Sequence, residues 1–329
     1  MPAMNMLPAG LVAPPCPQCG GGDYEPVIPV AVDRLTRKPG VFALAACRSC
    51  GLVATRPRPG HERLGDYYAG VYAGATARKV QLGAIGRWVA RYRARVVRAA
   101  TGLVAGERLL DVGCGYGAFL DAARRQAGCE AHGIDLDAAS IAGAASPGAI
   151  HYRVGSLDAP PWPQAHFDVV TLFQSLEHHE EPLAALRSVH RLLKPGGWCV
   201  VEVPDFDGAW RRVFRSWWLP LLVPQHLFHF TPRTLRRALE SAGFEVPGPH
   251  RSMFYPTEST ASLGLWLNEK LGRPLRSFRL RRERPDGLLL VALLAAWWLL
   301  VEVPAQALLC ALGRSGHQLL VARKPLTGA

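Results

Sequence analysis

From residue 105 onward, short apolar runs alternate with stretches whose apolar residues recur every three or four positions. The runs Arg108–Val112, Ala131–Leu136, Ile150–Val154, Asp168–Phe173 and Trp198–Val203 read as buried strands, and Ala118–Gln126 and Pro182–Leu193 as helices between them. Such alternation predicts a mostly parallel sheet covered on both faces. Upstream, residues 80–100 have helical spacing. Leu82, Ile85, Val89, Tyr92 and Val96 form an apolar stripe; Arg87, Arg91, Arg95 and Arg98 form a basic one, which reads as a solvated face or as a binding patch.

The most apolar stretch is GLLLVALLAAWWLLVEVP, residues 287–304, in which Leu288–Val301 are all apolar. A helix of that length covers roughly 21 Å, short of the ~30 Å hydrocarbon core of a bilayer. Extension to Leu312 places Glu302, Pro304 and Gln306 inside it. Residues 317–325, HQLLVARKP, read as the last, antiparallel strand of the sheet, beside FEV at 244–246. The chain then has to return to the sheet, which excludes a single crossing. The expectation is a hydrophobic helical insertion over 256–314 that packs on the domain or lies at a membrane surface. Its all-round apolarity favours burial as the covering of an acceptor site.

Cysteine placement adds a second module. Of eight cysteines, four stand as Cys16-Pro-Gln-Cys19-Gly and Cys47-Arg-Ser-Cys50-Gly, two knuckles 27 residues apart. Paired knuckles of this kind read as a tetrahedral four-thiolate zinc site, closed and therefore structural. Cys114, Cys129, Cys199 and Cys310 are scattered and read as ordinary buried thiols. The 329 residues are 49% hydrophobic and 19% charged, which excludes a disordered chain. The formal charge of +12 fits an anionic partner (nucleic acid, anionic membrane or phosphorylated substrate) or a merely solvated basic surface. The N-terminal MPAMNMLPAGLVAPP has neither a basic nor an apolar signal region, so the cytoplasm is the expected compartment.

The chemistry centres on RLLDVGCGYGAFLDAA, residues 108–123. A strand ends at Asp111, and Gly113, Gly115 and Gly117 form a loop that opens a helix, where backbone amides can approach a ligand. The spacing is G-x-G-x-G, whereas a dinucleotide site prefers G-x-G-x-x-G. An acid directly before the glycines repels a pyrophosphate but accepts from an ammonium, which favours a cationic nucleoside ligand. Asp135 ends the next strand, where a carboxylate can take both ribose hydroxyls, and Asp137 reads as a helix cap.

These blocks, together with FDVVTLFQSLEHHEEPLAALRSVHRLLKPGGWCVVEVPD and QHLFHFTPRTLRRALESAGFEV, resemble the class I S-adenosylmethionine-dependent methyltransferases. The resemblance runs from Asp111 to Arg323; the knuckles with CGLVATRPRP and DYYAGVY are similar to a zinc-binding module found ahead of some of them. It implies an α/β Rossmann-like seven-stranded sheet, mostly parallel with the last strand antiparallel, and a small N-terminal zinc-ribbon module. The implied division is 1–60 for the module and its tail, 61–104 for linker and lid helices, and 105–329 for the methyltransferase domain. Carried over by position, Asp111, Gly113 and Gly115, with Gly117 completing the loop, hold the methionine end of S-adenosylmethionine. Asp135 holds the ribose, Ser156 and Leu157 meet the adenine with Asp158 as a substitute carboxylate, and Phe173 and Gln174 line the floor near the methyl.

An oxygen nucleophile also needs a base. His226 is the first choice; Glu177 and His178 are the others in the expected catalytic set, and His179 and His229 are further candidates. Some ubiquinone-pathway O-methyltransferases bind a divalent ion near the counterpart of Ser175–His178; Gln174 stands where an acid would help, so no such ion is expected. The expected cofactors are S-adenosylmethionine and structural zinc. The expected partner is a small acceptor, hydrophobic or lipid- or sugar-linked, with peripheral contact to an anionic membrane at its inner face. WRRVFRSWWLPLLVPQHLFHF and the six-arginine run at 273–284 suit such a surface or a lid with a basic rim. An RNA or protein methyltransferase is the alternative, but Phe-Gln-Ser-Leu-Glu-His replaces the Asn/Asp-Pro-Pro-Tyr motif of adenine methylators, so nucleic acid is not expected. A non-catalytic binding module is the remaining reading, which the intact glycine loop and Asp135 oppose.

Overall fold

The computed structural model describes residues 11–12, 14–68, 75–270 and 292–326. The arginine run at 273–284 and the first residues of the apolar stretch, 287–291, lie outside them.

A short pair, β1 (Leu11–Val12) and β5 (Arg58–Pro59), flanks a four-stranded sheet containing β2 (Tyr24–Ala31), β3 (Phe42–Cys47) and β4 (Val53–Arg56). Its fourth strand, β11 (Phe228–His229), comes from far along the chain and pairs antiparallel with β4. Thr55 ties the same seam, its amide donating to Leu227 O and its hydroxyl to His226 O. The knuckle residues Cys16, Cys47, Cys50 and Leu52 share one buried cluster with Leu227, Phe230 and Leu235. The cysteine module therefore packs into the main core.

Helices α1 (His61–Tyr68), α2 (Ala75–Leu82) and α3 (Ala84–Thr101) lead into the main sheet. On α3 the stripe that faces inward is Ala90, Ala94 and Val97. This corrects the expected stripe: Ile85 is exposed, and Val89, Tyr92 and Val96 are only half-buried. Small residues win because α3 packs closely on α4 (Ala118–Ala127), against Phe119, Ala122 and Ala123. Arg87, Arg91, Arg95 and Arg98 are solvent-exposed.

The main sheet has the order β12-β13-β10-β9-β6-β7-β8: β6 (Arg108–Val112), β7 (Glu130–Asp135), β8 (His151–Val154), β9 (Phe167–Phe173), β10 (Leu193–Pro204), β12 (Arg251–Ser252) and β13 (His317–Arg323). The pairs from β8 to β10 are parallel, and β13 runs antiparallel to β10. In β9 all residues but Asp168 are buried, and in β10 every residue from Cys199 to Pro204 is, as expected for a sheet covered on both faces. The covering helices include α5 (Ala138–Ala142), α6 (Pro182–Leu192) and α8 (Pro232–Ser241), while α7 (Ala209–Phe214) packs through Trp210 into the cluster that contains Phe42 and Leu44 of the module. The segment expected beside β13, FEV, contributes one bridge, Glu245 to Arg323; the paired edge strand is β12.

Two helices fill the insertion before β13: α9 (Glu258–Lys270) and α10 (Ala292–Ala311), the latter with one π-helical turn at Trp298–Glu302. Burial of α10, favoured by its all-round apolarity, is overturned: only 11% of its most apolar window is buried. The reason is orientation. Its two polar residues, Glu302 and Gln306, point inward and are fully buried, while most of its apolar residues face out and only Trp297, Ala305 and Leu309 pack against the core.

Candidate active site

The strand β6 delivers Asp111 to the carboxyl edge of the sheet, where Thr171 of β9 donates to its Oδ1 at 2.7 Å. Burial pushes the Asp111 carboxyl up to about 7. The loop that follows keeps Gly113, Gly115 and Gly117 at φ of 75°, 52° and 71°. A Cβ at Gly113 would lie 2.7 Å from Ser175 Oγ, and one at Gly117 would lie 1.8 Å from the Tyr152 hydroxyl, so both conformation and space demand glycine. Asp135, at the tip of β7, is fixed by the amides of Gly115 and Asp137 at 2.8 and 2.9 Å. Burial raises its pKa as well. Asp137 caps α5, accepting from the amides of Ala139 and Ser140. Ser156 donates to Asp158 Oδ2 at 2.9 Å on an exposed turn, and Leu157 between them is buried. Gln81 of α2 accepts from the Tyr116 amide, which brings α2 over the glycine loop.

Beside the cradle lies a polar cluster that the sequence reading missed. Glu202 of β10, fully buried, is bound by the guanidinium of Arg93 at 2.5 and 3.2 Å, by the Tyr255 hydroxyl at 2.5 Å and by Gln174 Nε2 at 3.0 Å. Burial opposes the charge on Glu202, but Arg93 holds its carboxyl below the usual range. Arg93 also lies over the Phe173 ring, 4.6 Å from its centroid, and Phe173 packs edge-on against Phe119. A signal was present: a glutamate inside the otherwise apolar run WCVVEVP requires a buried partner.

After β9 the chain turns through Gln174 and the short helix Leu176–His178. This brings together all three residues of the expected catalytic set. Glu177, His178 and His226 offer ligand atoms within 4.8 Å of one another. His226 Nδ1 donates to Pro220 O at 2.8 Å, so Nε2 is the acceptor nitrogen, and it faces Glu177 Oε1 at 3.9 Å. Burial holds His226 well below the usual imidazole range, hence neutral, and pushes Glu177 up to about 8. Among the described residues neither Glu177 oxygen has a hydrogen-bond partner. His178 Nδ1 meets the Tyr68 hydroxyl and Gln225 O, and burial lowers it to about 4. The three groups could pass a proton or hold a divalent cation. Gln174, whose side chain turns to Glu202, takes no part in this arrangement. The other histidines are not brought in: His229 faces Thr55 Oγ1 at 3.2 Å, and His179 lies 3.5 Å from Ser175 Oγ.

The four module cysteines form a separate cluster. Their sulfurs lie within 4.8 Å, with Cys16–Cys50 and Cys19–Cys47 at 3.5 Å, spacing that suits one tetrahedral ion. The amides of Gly20 and Gly51 close each knuckle onto Cys16 O and Cys47 O. Cys114, Cys129 and Cys199 are buried as expected; Cys310 is only half-buried.

A parallel sheet with one reversed strand, a glycine loop after the first parallel strand and an acid at the tip of the second define a nucleoside-binding α/β fold. A family model described as a methyltransferase domain matches residues 85–247. A ubiquinone biosynthesis O-methyltransferase of Bordetella avium is 31% identical over 185 residues, covering 51% of this chain and 74% of that protein. Its counterpart in Nitrosospira multiformis is 29% identical over 179 residues, covering 49% and 72%. The Haemonchus contortus phosphoethanolamine N-methyltransferase 2, solved with S-adenosylmethionine, shares the fold at a TM-score of 0.54 and 18% identity, over 83% of this chain and 63% of that one. The chain belongs to the class I S-adenosylmethionine-dependent methyltransferases.

The Arg93–Glu202 pair yields a stability test. Replacing Glu202 by Leu strands a buried guanidinium and is expected to cost about 3–5 kcal/mol in urea unfolding. The double substitution Arg93→Met/Glu202→Leu is expected to recover most of that loss, and a double variant as unstable as the single one would contradict the pairing.

Proposed function

We propose that this methyltransferase acts on an oxygen of a small hydrophobic acceptor, lipid- or sugar-linked. The observation that carries this reading is the buried cluster of neutral His226, its acceptor nitrogen facing Glu177, beside the end of β9. Transfer to oxygen requires a proton acceptor there, and the ubiquinone biosynthesis O-methyltransferases among its relatives support the choice of oxygen. In this reading S-adenosylmethionine, when bound, supplies the electrophilic methyl group. Asp111 takes its ammonium with the amides of Gly113, Gly115 and Gly117; Asp135 takes the ribose; Ser156 and Leu157 meet the adenine; Phe173 floors the reacting end. The residues fit that ligand: the loop has no room for side chains, and Asp111 is a buried acid that a cation would stabilise.

His226 accepts the acceptor's proton through Nε2, and the Glu177 carboxyl, 3.9 Å away, faces the imidazolium so formed. His178 positions this pair through Gln225, the neighbour of His226. His226→Ala is expected to lower turnover by about two to four orders of magnitude. The dissociation constant for S-adenosylmethionine should stay the same by calorimetry, and unchanged turnover would remove His226 as the base. The acceptor class is read by incubating the chain with methyl-labelled cofactor and a lipid extract, RNA or protein; label in RNA or protein alone would defeat the small-acceptor reading.

The ammonium contact has a pH signature. The ligand binds ionised Asp111, so affinity should rise with pH through the value of about 7. Between pH 6 and pH 8 the ionised fraction, and with it the apparent affinity, grows about tenfold. Titration calorimetry of Asp111→Asn should show weaker binding with a flat profile.

The cysteine cluster is proposed to hold a structural zinc ion, with Cys16, Cys19, Cys47 and Cys50 as its four thiolates. Four reduced thiols suit a reducing compartment, which supports placing the reaction in the cytoplasm. Metal analysis of the purified chain should find about one zinc per chain. Cys16→Ser/Cys50→Ser should lose the zinc and melt at lower temperature, because Cys16 and Cys50 sit in the core shared with α8.

A further inference from the structure

We propose that the outward face of α10 is a docking surface for an anionic lipid bilayer, lying in the plane of the membrane. Every exposed residue from Ala292 to Leu312 is apolar. Leu293, Leu299, Leu300, Leu308 and Leu312 are each more than half exposed, and Trp298 stands among them. The polar residues of the helix are turned the other way. Glu302 accepts from the amides of Ser259 and Thr260 at 2.7 and 2.9 Å, and Gln306 Oε1 accepts from Trp210 Nε1 at 2.8 Å. A helix in contact with water has the opposite arrangement, with its polar stripe outside. Polar side chains directed into protein and apolar ones directed outward are what a hydrocarbon surrounding selects.

A bilayer fits this face better than a second protein does. Even homodimer interfaces are only about 65% apolar, whereas the outward face of α10 carries no exposed polar side chain over 20 residues. The surroundings supply the charge that anionic headgroups need. Exposed Arg212 and Arg215 lie on and just after α7, whose Trp210 bonds to α10, and exposed Arg314 follows the end of α10. Trp298 on α10 and Trp266 on α9 are exposed indoles of the kind that settle at headgroup depth.

The inward bonds also fix the orientation. Trp297 donates to Ser259 Oγ and Trp298 to Pro256 O, so residues 297–306 are held along the body of the domain. The chain then enters β13 at His317 and joins the main sheet. A helix held against the domain at its centre presents one side to the membrane and does not cross it. This inference stands whether or not the methyl acceptor is a lipid.

Flotation of the full chain with vesicles tests it. The chain should float with phosphatidylglycerol/phosphatidylcholine vesicles and about tenfold less with phosphatidylcholine alone. Leu299→Glu/Leu300→Glu should lose flotation about tenfold while binding S-adenosylmethionine as the parent does, which shows that the variant is folded. Arg212→Glu/Arg215→Glu should lose only the preference for anionic lipid. A parent chain that stays at the bottom of the gradient, or a leucine variant that floats equally well, overturns the proposal. So does a dimer in size-exclusion chromatography that the leucine substitutions split, since a second copy would then cover the face; resistance to an alkaline carbonate wash overturns the in-plane placement.

Discussion

Glu202 lies inside a strand with no access to water, and its charge persists chiefly because Arg93 reaches it from α3. Much of the active-site side of the molecule follows from this pair. An isolated carboxylate in such a position would be neutral or would unfold the strand. α3 packs beside α4 on the sheet with Arg93 over Phe173, and α2 just before it brings Gln81 to the glycine loop. The same carboxylate collects Tyr255 and Gln174, so the start of the insertion and the end of β9 are tied to one point. One buried charge thus ties α3, the end of β9 and Tyr255 together beside the glycine loop.

The cysteine module enters through backbone pairing instead. β11 directly follows His226 and Leu227, and it completes the module's sheet by pairing with β4. Thr55 then holds the His226 carbonyl, while the His226 ring bonds to Pro220. The residue read as the base is therefore positioned partly by the module, which makes the cysteine cluster a support for the site as well as a local staple.

What the sequence revealed and what it hid divide along physical lines. The five parallel strands, the glycine loop, Asp135 at a strand tip and the Asp137 cap were all legible, because local periodicity and turn chemistry determine them. The packed stripe of α3 was not, since Ala90, Ala94 and Val97 face inward for their small size while larger residues nearby remain half-exposed. Arg93 was hidden because it sits off the regular arginine stripe, and its partner lies in a strand over a hundred residues away. For α10 the composition was legible but its direction was not. A run with only Glu302 and Gln306 as polar residues, four apart, looks the same whether that side meets water or protein. Only the bonds to Ser259, Thr260 and Trp210 decide it.

The buried acids complete the picture, and they differ in what relieves them. Burial raises Asp111 to about 7 and Glu177 to about 8, both far above the usual carboxylate range. A carboxyl whose folded value is raised favours the folded state while protonated, and that contribution is lost as pH climbs through the raised value. Near neutrality the free protein therefore carries both acids at a cost in stability that grows with pH. For Asp111 the proposed ligand removes the cost, because an ammonium stabilises the ionised form. Glu177 has no fixed cation at hydrogen-bond distance among the described residues; its partner is a histidine that is itself held neutral. In the proposed reaction a proton delivered to His226 creates the missing cation, which favours the ionised form of Glu177 beside it. In the proposed reaction the two groups that are unfavourable in the resting protein are thus the ones eased by a neighbouring cation, Asp111 by the ligand's ammonium and Glu177 by the imidazolium.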